Sequence, residues 1–338
     1  MAYHPKLNVY IITLKPKNEG EKSTVRDFLQ EKYFLPEHTP DKELLRKLFE
    51  DFVNLVGQNE YYIDDKNKKV IGIDDGGILP LCLSSEQWII DGVIEGGKYG
   101  ILREYADKGI KMKKMIILPT NAVLDKYYIL LNPILNDSYA ILLVQSYSEE
   151  SIQGSVNTLV NKLFGSSASF HKAKMEPFVP KRLKERYLAN AVVRMFSFTT
   201  PLPLSEDLRE AIPEANQEFE VEVRIKPKRM AMSVDSQGTQ DVIDAFGTKM
   251  VDGRVLSEGK GRVFMTDASD RNANYDIEKG LSSIRPTIYL LDEDVDTDPE
   301  TGRPNFNMIK EFSRGLLPEI KRERDINLDI DEHSISLA

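Results

Sequence analysis

The chain has 338 residues, about twice the length of an ordinary single domain, so we expect two domains or one large one. Its composition of 41% apolar, 9% aromatic and 29% charged residues is that of a globular protein and excludes a disordered or fibrous chain. The single cysteine, Cys82, excludes an intramolecular disulfide and a thiolate metal cluster, and it favours a reducing compartment.

The net charge of −9 is unevenly distributed along the chain. Residues 101–200 carry a charge of +6, whereas residues 201–300 carry −10. The acidic total argues against a protein coated in positive potential. It leaves room for one basic face, because screening limits the reach of distant acids to roughly 10 Å in ordinary salt.

The N-terminal segment lacks the uninterrupted apolar core of a secretory signal. The longest apolar stretches, near 115–118 and 126–145, are interrupted by polar residues before they reach the length of a membrane span. We therefore expect a cytoplasmic protein with no membrane span.

The beginning of the chain predicts a strand followed by two helices. Residues 7–14 are β-branched and apolar on both alternating faces, as in a strand covered on two sides. A short helix is predicted over 24–34. Thr39 and Pro40 then indicate a second helix start, and the apolar residues of 44–56 recur at helical spacing.

A hairpin is predicted next, with its turn at 65–68. Ser84 and Gln87 have the spacing of a capping box, which predicts a short helix over 88–94. The residues at 113–118 predict a further strand.

Two strands are predicted at 126–131 and 139–145, joined by a turn. Ser146 and Glu149 then indicate the start of a helix that continues to about residue 164.

The rest of the chain predicts several strands, a polar connector at 199–218 and a final helix at 307–320. The predicted strands are 169–178, 191–198, 219–225, 262–266 and 287–291. Strands and helices without strict alternation favour an α+β class with mixed sheets and flanking helices. We predict two domains: an N-terminal α/β domain at 1–120 and a C-terminal α+β domain at 121–338 that carries basic clusters.

The acidic residues are the candidate metal ligands of the sequence. The run at 292–298 fails as a calcium loop, because Thr297 stands where the loop needs Gly and Arg303 where it needs Glu. The Asp pairs at 64–65 and 74–75 stand where turn residues belong, so we interpret them as turns and not as a magnesium site.

The usual catalytic signatures are also missing from the sequence. None of the four histidines is spaced as a zinc pair, and we interpret His171 as a partly exposed structural histidine. There is no serine nucleophile elbow, no Walker loop and no G-x-G-x-x-G. Cys82 lies in an apolar run typical of a buried, inert thiol. We therefore expect no cofactor and no bound metal, and a protein that is not an enzyme.

A divalent-metal-dependent nuclease stays open as an alternative. Its carboxylates would be Glu220 and Glu222, but Arg224 stands where the acid-x-Lys pattern needs Lys. Alternating charges on a half-exposed strand explain the same residues.

Basic clusters interleaved with aromatic residues are the most coherent signal. Lys and Arg neutralise phosphates and aromatic rings stack on unpaired bases, so these clusters suit a DNA or RNA surface. The first cluster lies at 181–186 and the second at 224–229. A third cluster comprises Lys111, Lys113 and Lys114. The alternative is a solvated helix face and an edge strand guarded by lysines. The residues assigned to nucleic-acid binding are Lys181, Arg182, Lys184, Arg186, Arg224, Lys226, Lys228 and Arg229.

Two segments, 126–164 and 285–312, resemble bacterial proteins associated with phage-defence islands. This resemblance implies a cytoplasmic component of an antiviral defence system, with a sensing or nucleic-acid-contacting role beside a companion defence protein. It brings no catalytic residues with it.

Three hypotheses follow. The first is a non-enzymatic recognition subunit that contacts nucleic acid through the basic clusters. The second is the nuclease effector described above. The third is a protein-interaction or homo-oligomeric scaffold component without nucleic acid, with the apolar segment 78–83 and Trp88 as its contact surface.

Overall fold

The computed structural model divides the chain into two compact units, residues 1–178 with 288–338 and residues 179–287. The sheets pair their strands antiparallel, and the α+β class is confirmed. The structure describes residues 5–18, 23–57, 60–74, 76–77, 79–84, 87–106, 109, 114–147, 151–202, 219–228, 232–234, 237–247, 250–251, 254–255, 260–268, 271–290 and 293–335.

The larger unit is built on a nine-stranded sheet in the order β10-β1-β9-β8-β5-β3-β2, with β18 beside β1 and β4 beside β5. Its strands are β1 (Lys6–Thr13), β2 (Tyr62–Asp64), β3 (Lys69–Ile73), β4 (Cys82–Ser84), β5 (Ile89–Lys98), β8 (Val123–Pro133), β9 (Tyr139–Ser146), β10 (Lys174–Phe178) and β18 (Ile288–Tyr289). A separate ribbon consists of β6 (Arg103–Ala106) and β7 (Lys114–Ile117). The helices are α1 (Val25–Lys32), α2 (Asp41–Val56), α3 (Gln153–Leu163) and α6 (Phe306–Ile335).

Helices α1, α2 and α3 cover one face of this sheet. Thr24 begins α1 with a capping box, in which its hydroxyl accepts from the Asp27 backbone N–H and the Asp27 carboxylate accepts in return. In α2 the apolar stripe from Leu44 to Val56 is buried, and Gly57 ends the helix with a positive φ of 96°. The predicted helix start is one residue off, because the Thr39 hydroxyl donates to the Pro36 carbonyl instead of capping.

Helix α6 lies on the opposite face. Its Arg314 guanidinium binds the buried carboxylate of Asp91 on β5, with N···O distances of 2.8 and 3.0 Å. The Tyr128 hydroxyl of β8 donates to the same carboxylate at 2.9 Å. A fully buried Asp is stable only when paired and hydrogen-bonded, so this contact fixes the position of α6 on the sheet.

The smaller unit is built on a five-stranded antiparallel sheet in the order β12-β11-β16-β17, with β13 also paired with β11. Its apolar core includes Phe196, Phe198 and Val263. Its elements are α4 (Lys181–Leu188), β11 (Val192–Leu202), β12 (Phe219–Ile225), β13 (Met232–Ser233), α5 (Gln237–Gly247), β14 (Met250–Val251), β15 (Arg254–Val255), β16 (Lys260–Thr266) and β17 (Asn272–Asp276).

The smaller unit is an insertion at one edge of β1. Strand β9 pairs along the whole of β1, so β10 and β18 share the other edge. Phe178 at the end of β10 lies opposite Val9, and Ile288 at the start of β18 lies opposite Leu7. The chain therefore leaves and re-enters the sheet at points about 7 Å apart along the strand.

The predicted domain boundary near residue 120 differs from this division. Strand β8 pairs along its length with β5, so both sides of residue 120 belong to the larger unit. The sequence missed the boundary because the chain crosses between the units twice.

The helix predicted over 88–94 is wrong. These residues lead into β5, which is paired with β3, β4 and β8. At Gly97 of β5, a Cβ would lie 1.6 Å from the Val123 carbonyl oxygen of β8. This position of the strand therefore requires glycine. Cross-strand pairing overrides the local helical pattern.

No helix in the described part of the chain is both long and apolar enough to span a membrane.

Candidate functional site

Helix α4 gathers the first basic cluster on one short element. Leu183 and Tyr187 stand four residues apart and are buried, so they define the inward side of the helix. The Tyr187 hydroxyl donates to the Arg271 carbonyl at 2.9 Å and anchors α4 in the core of the smaller unit. The four cations of α4 lie outside this buried stripe: Lys181, Arg182, Lys184 and Arg186.

Glu185 lies among these cations on α4. The Lys181 ammonium lies 3.8 Å from the Glu185 carboxylate, and both side chains are exposed. Exposed ion pairs of this length contribute little free energy and are screened by salt. A phosphate can therefore compete with Glu185 for Lys181.

Arg224 is placed differently from the α4 cations. Its guanidinium lies 2.6 Å from the Glu222 carboxylate, whose other oxygen accepts from the Ser197 hydroxyl, also at 2.6 Å. These hydrogen bonds, first from Arg224 and then from Ser197, lower the pKa of Glu222. This ion pair is also exposed, but it is shorter than the contact between Lys181 and Glu185.

The two clusters lie on opposite faces of the sheet. Val223 and Ile225 of β12 pack against the core that contains Tyr187, whereas Glu222 and Arg224 alternate to the other face. The structure therefore does not bring Arg224 together with α4, as the basic-cluster hypothesis requires.

The remaining predicted cations follow β12 or lie elsewhere. Lys226 and Lys228 are exposed in the segment that follows the strand. Arg229, Lys111 and Lys113 lie outside the described residues.

The charge of the chain divides between its units. Residues 179–287 contain 17 Lys and Arg and 17 Asp and Glu, whereas the rest of the chain has 28 against 37. The net charge of −9 therefore belongs to the larger unit, and the unit that carries α4 is neutral as a whole. A neutral unit does not repel a polyanion from its basic helix.

The Glu222 carboxylate of the nuclease alternative is engaged by neighbouring side chains. Both oxygens of Glu222 already accept hydrogen bonds from Ser197 and Arg224. Within the described residues, no three His, Cys, Asp or Glu side chains come close enough together to hold a metal. No observation on these residues favours metal-assisted hydrolysis.

The larger unit contains a cavity of about 560 Å³ that the sequence did not indicate. Leu79, Val93 and Phe306 contribute an apolar wall, while Lys126 and Arg303 bring charge to it. This volume is within the range of small-molecule sites, about 300–1,000 Å³.

Two of the three acidic residues at this cavity, Asp74 and Asp298, have local partners. The Lys126 ammonium lies 2.7 and 2.8 Å from the two carboxylate oxygens of buried Asp74, which supports the interpretation of Asp74 as a structural residue. Asp298 accepts from the backbone N–H groups of Thr301 and Glu300, and these bonds lower its pKa. These two carboxylates are therefore already engaged within the larger unit.

Cys82 is exposed and not buried as predicted, because β4 is a short strand outside the main sheet path. Partial desolvation, and then the charge of Asp91, raises the pKa of its thiol. Its Sγ lies 3.8 Å from Asp91 Oδ1. A raised pKa disfavours the reactive thiolate, in agreement with an inert thiol.

His171 is exposed, and its backbone N–H donates to the Lys15 carbonyl.

The apolar segment expected to bind a partner is largely internal. Leu79 is buried, and Leu81, Leu83 and Trp88 pack against the core beneath the helices. Ile78 lies outside the described residues.

Comparisons of the chain with protein-family models, curated proteins and solved structures find no match.

Proposed function

We propose that this protein is a non-enzymatic recognition subunit that contacts nucleic acid through helix α4 of its smaller unit. The observation that carries the proposal is the placement of four cations around a helix whose opposite stripe, Leu183 and Tyr187, is buried. The helix is about 12 Å long, a length over which duplex DNA carries about seven phosphate charges.

The proposal gives α4 the main role and Arg224 a minor one. Arg224 lies on the opposite face of the sheet and pairs with Glu222 at 2.6 Å, whereas the four α4 cations lie together on one helix. Lys226 and Lys228 stay candidate secondary contacts because both are exposed. Binding of this kind is electrostatic and carries little sequence preference.

The first prediction concerns the salt dependence of binding. Four phosphate contacts give a slope of log affinity against log salt of about −3.6 on duplex DNA and about −2.8 on single strands. Replacing the four α4 cations with Gln, a good helix former, should bring this slope close to zero. Fluorescence anisotropy of a labelled oligonucleotide, titrated at several NaCl concentrations, measures the slope for the wild-type chain and for the variant.

Arg224→Gln is the matched control, because it removes one cation from the opposite face and should leave the slope nearly unchanged. Equal affinity and equal slope for the wild-type chain and the α4 variant would exclude α4 as the interface. Intact oligonucleotide after incubation with magnesium is expected of a non-enzymatic subunit, and degradation would favour the nuclease alternative instead.

The biological setting is part of the same proposal. The resemblance of segments 126–164 and 285–312 to proteins of phage-defence islands supports a role in bacterial antiviral defence, beside a companion protein. Pull-down from infected and uninfected cells, with sequencing and mass spectrometry, tests this setting. Capture of the same material from both would argue against it.

A further inference from the structure

A two-stranded ribbon projects from the larger unit between β5 and β8. Its strands β6 and β7 pair in an antiparallel register, with Tyr105 opposite Met115. The Gly100 N–H donates to the Pro119 carbonyl at 2.8 Å and closes the base of the ribbon. Among the described strands, β6 and β7 pair only with each other, so each has an open edge.

This ribbon and the residues at its base form the largest exposed apolar area in the described part of the chain. Eight large apolar residues of this area are between 36% and 62% exposed. Outside it, only Phe34, Tyr61 and Ile63 are comparably exposed among the described residues. The eight are Ile101, Leu102, Tyr105, Met115, Ile116, Leu118, Val123 and Leu124.

Both faces of the ribbon carry exposed apolar side chains. Tyr105 and Met115 share one face, whereas Ile116 lies opposite Glu104 on the other. A lone two-stranded ribbon is at best marginally stable in water, and monomeric proteins rarely expose apolar patches beyond a few hundred Å². The ribbon therefore has the properties of a segment that is covered in the working protein.

The exposed area matches what one partner contributes to a stable dimer. At about 200 Å² for a large fully exposed residue, the eight residues present roughly 800 Å². A standard interface takes about 800 Å² from each partner. An interface between two copies uses the same patch twice, so this single area is sufficient for a closed two-fold dimer.

The charges on β6 also suit self-association. Arg103 and Glu104 are adjacent, so a two-fold axis between them would place Arg103 of one copy opposite Glu104 of the other in an antiparallel strand pair. We propose that the β6–β7 ribbon is a dimerisation surface and that a second copy of this chain covers it. This inference is independent of the nucleic-acid proposal.

Sedimentation velocity of the full chain over a wide range of concentrations tests the proposal. We expect a reversible dimer, and Met115→Glu or Ile116→Glu, one on each face, should raise its dissociation constant at least about tenfold. Phe34→Asn is the matched control: Phe34 is 95% exposed with a φ of 56°, which Asn tolerates, so dimerisation should not change.

Hydrogen exchange supplies a second readout. Protection of amides at 101–106 and 114–118 should increase with protein concentration in the wild-type chain and not in Ile116→Glu. A wild-type chain that stays monomeric at every concentration, or a dimer that both ribbon variants leave intact, would overturn the proposal. A monomer that binds a different protein through the ribbon would overturn it as well.

Discussion

At the scale of single residues, the larger unit depends on a few buried polar groups. Asp91 is fully buried and binds Arg314. Burial of the Tyr128 hydroxyl, and then the charge of Asp91, raises the pKa of Tyr128. Removing one partner of such a pair typically costs about 3–5 kcal/mol, because the other charge is left buried and unpaired. This network joins residues 223 positions apart, so nothing in the local sequence predicts it.

Tyr10 allows a pH prediction. Burial raises its pKa to about 12 from the ordinary tyrosine value of 10.0, so the folded chain favours the neutral phenol. The unfolded chain ionises first, and stability is therefore present below pH 10 and lost as the pH rises towards 12. The loss from this residue is about 2–3 kcal/mol.

Tyr10→Phe should lose less stability over this interval than the wild-type chain does. Urea midpoints measured between pH 9 and pH 12 give the difference, and subtraction removes the contribution of other tyrosines. Parallel curves for the two proteins would show that Tyr10 does not titrate in the folded state as described.

At the scale of elements, residue patterns predict what neighbouring residues determine and miss what pairing with distant strands determines. The apolar stripe of α2 and the hairpin of β8 and β9 could be predicted because each is set by neighbouring residues. Strand β5 could not, since its glycines are required by the carbonyls of paired strands. The basic residues of α4 and β12 could be found from the sequence. That they lie on opposite faces of the sheet follows only from the alternation of side chains along the folded β12.

Two glycine substitutions test this difference between elements. Gly97→Ala would place a Cβ 1.6 Å from the Val123 carbonyl oxygen, so we expect a loss of at least about 1–3 kcal/mol and a lower thermal midpoint. Gly315 of α6 has open space around it, and Gly315→Ala should stabilise the chain by about 0.5–1 kcal/mol. Calorimetry that gave both variants the same shift would contradict this account.

At the scale of the whole molecule, the chain consists of one discontinuous unit and one inserted unit. The cavity and the contacts of Asp91 both combine residues from before and after the insertion. The sequence prediction placed all residues after 120 in one domain, because no local pattern indicates that residues 288–338 return to the larger unit. The cavity was therefore also missed.

Deletion of residues 179–287 tests the insertion. Phe178 and Ile288 pair with Val9 and Leu7 on the same edge of β1, so a short Gly-Ser linker can join them. We expect the shortened chain to fold cooperatively, to keep the β6–β7 ribbon and to lose binding to oligonucleotides. A shortened chain without a cooperative unfolding transition would show that the larger unit needs the insertion for its stability.

The position of the insertion also affects how the protein is made. Helix α6, which covers the second face of the large sheet, follows β10 by 127 residues. At about 5–20 residues per second, a ribosome takes roughly 6–25 s to synthesise this interval. Throughout it, buried side chains such as Val93, Leu130 and Ile141 have no cover from α6. Transiently exposed apolar surface of this kind favours aggregation of a nascent chain, and it persists until α6 (Phe306–Ile335) has been synthesised and packs on the sheet.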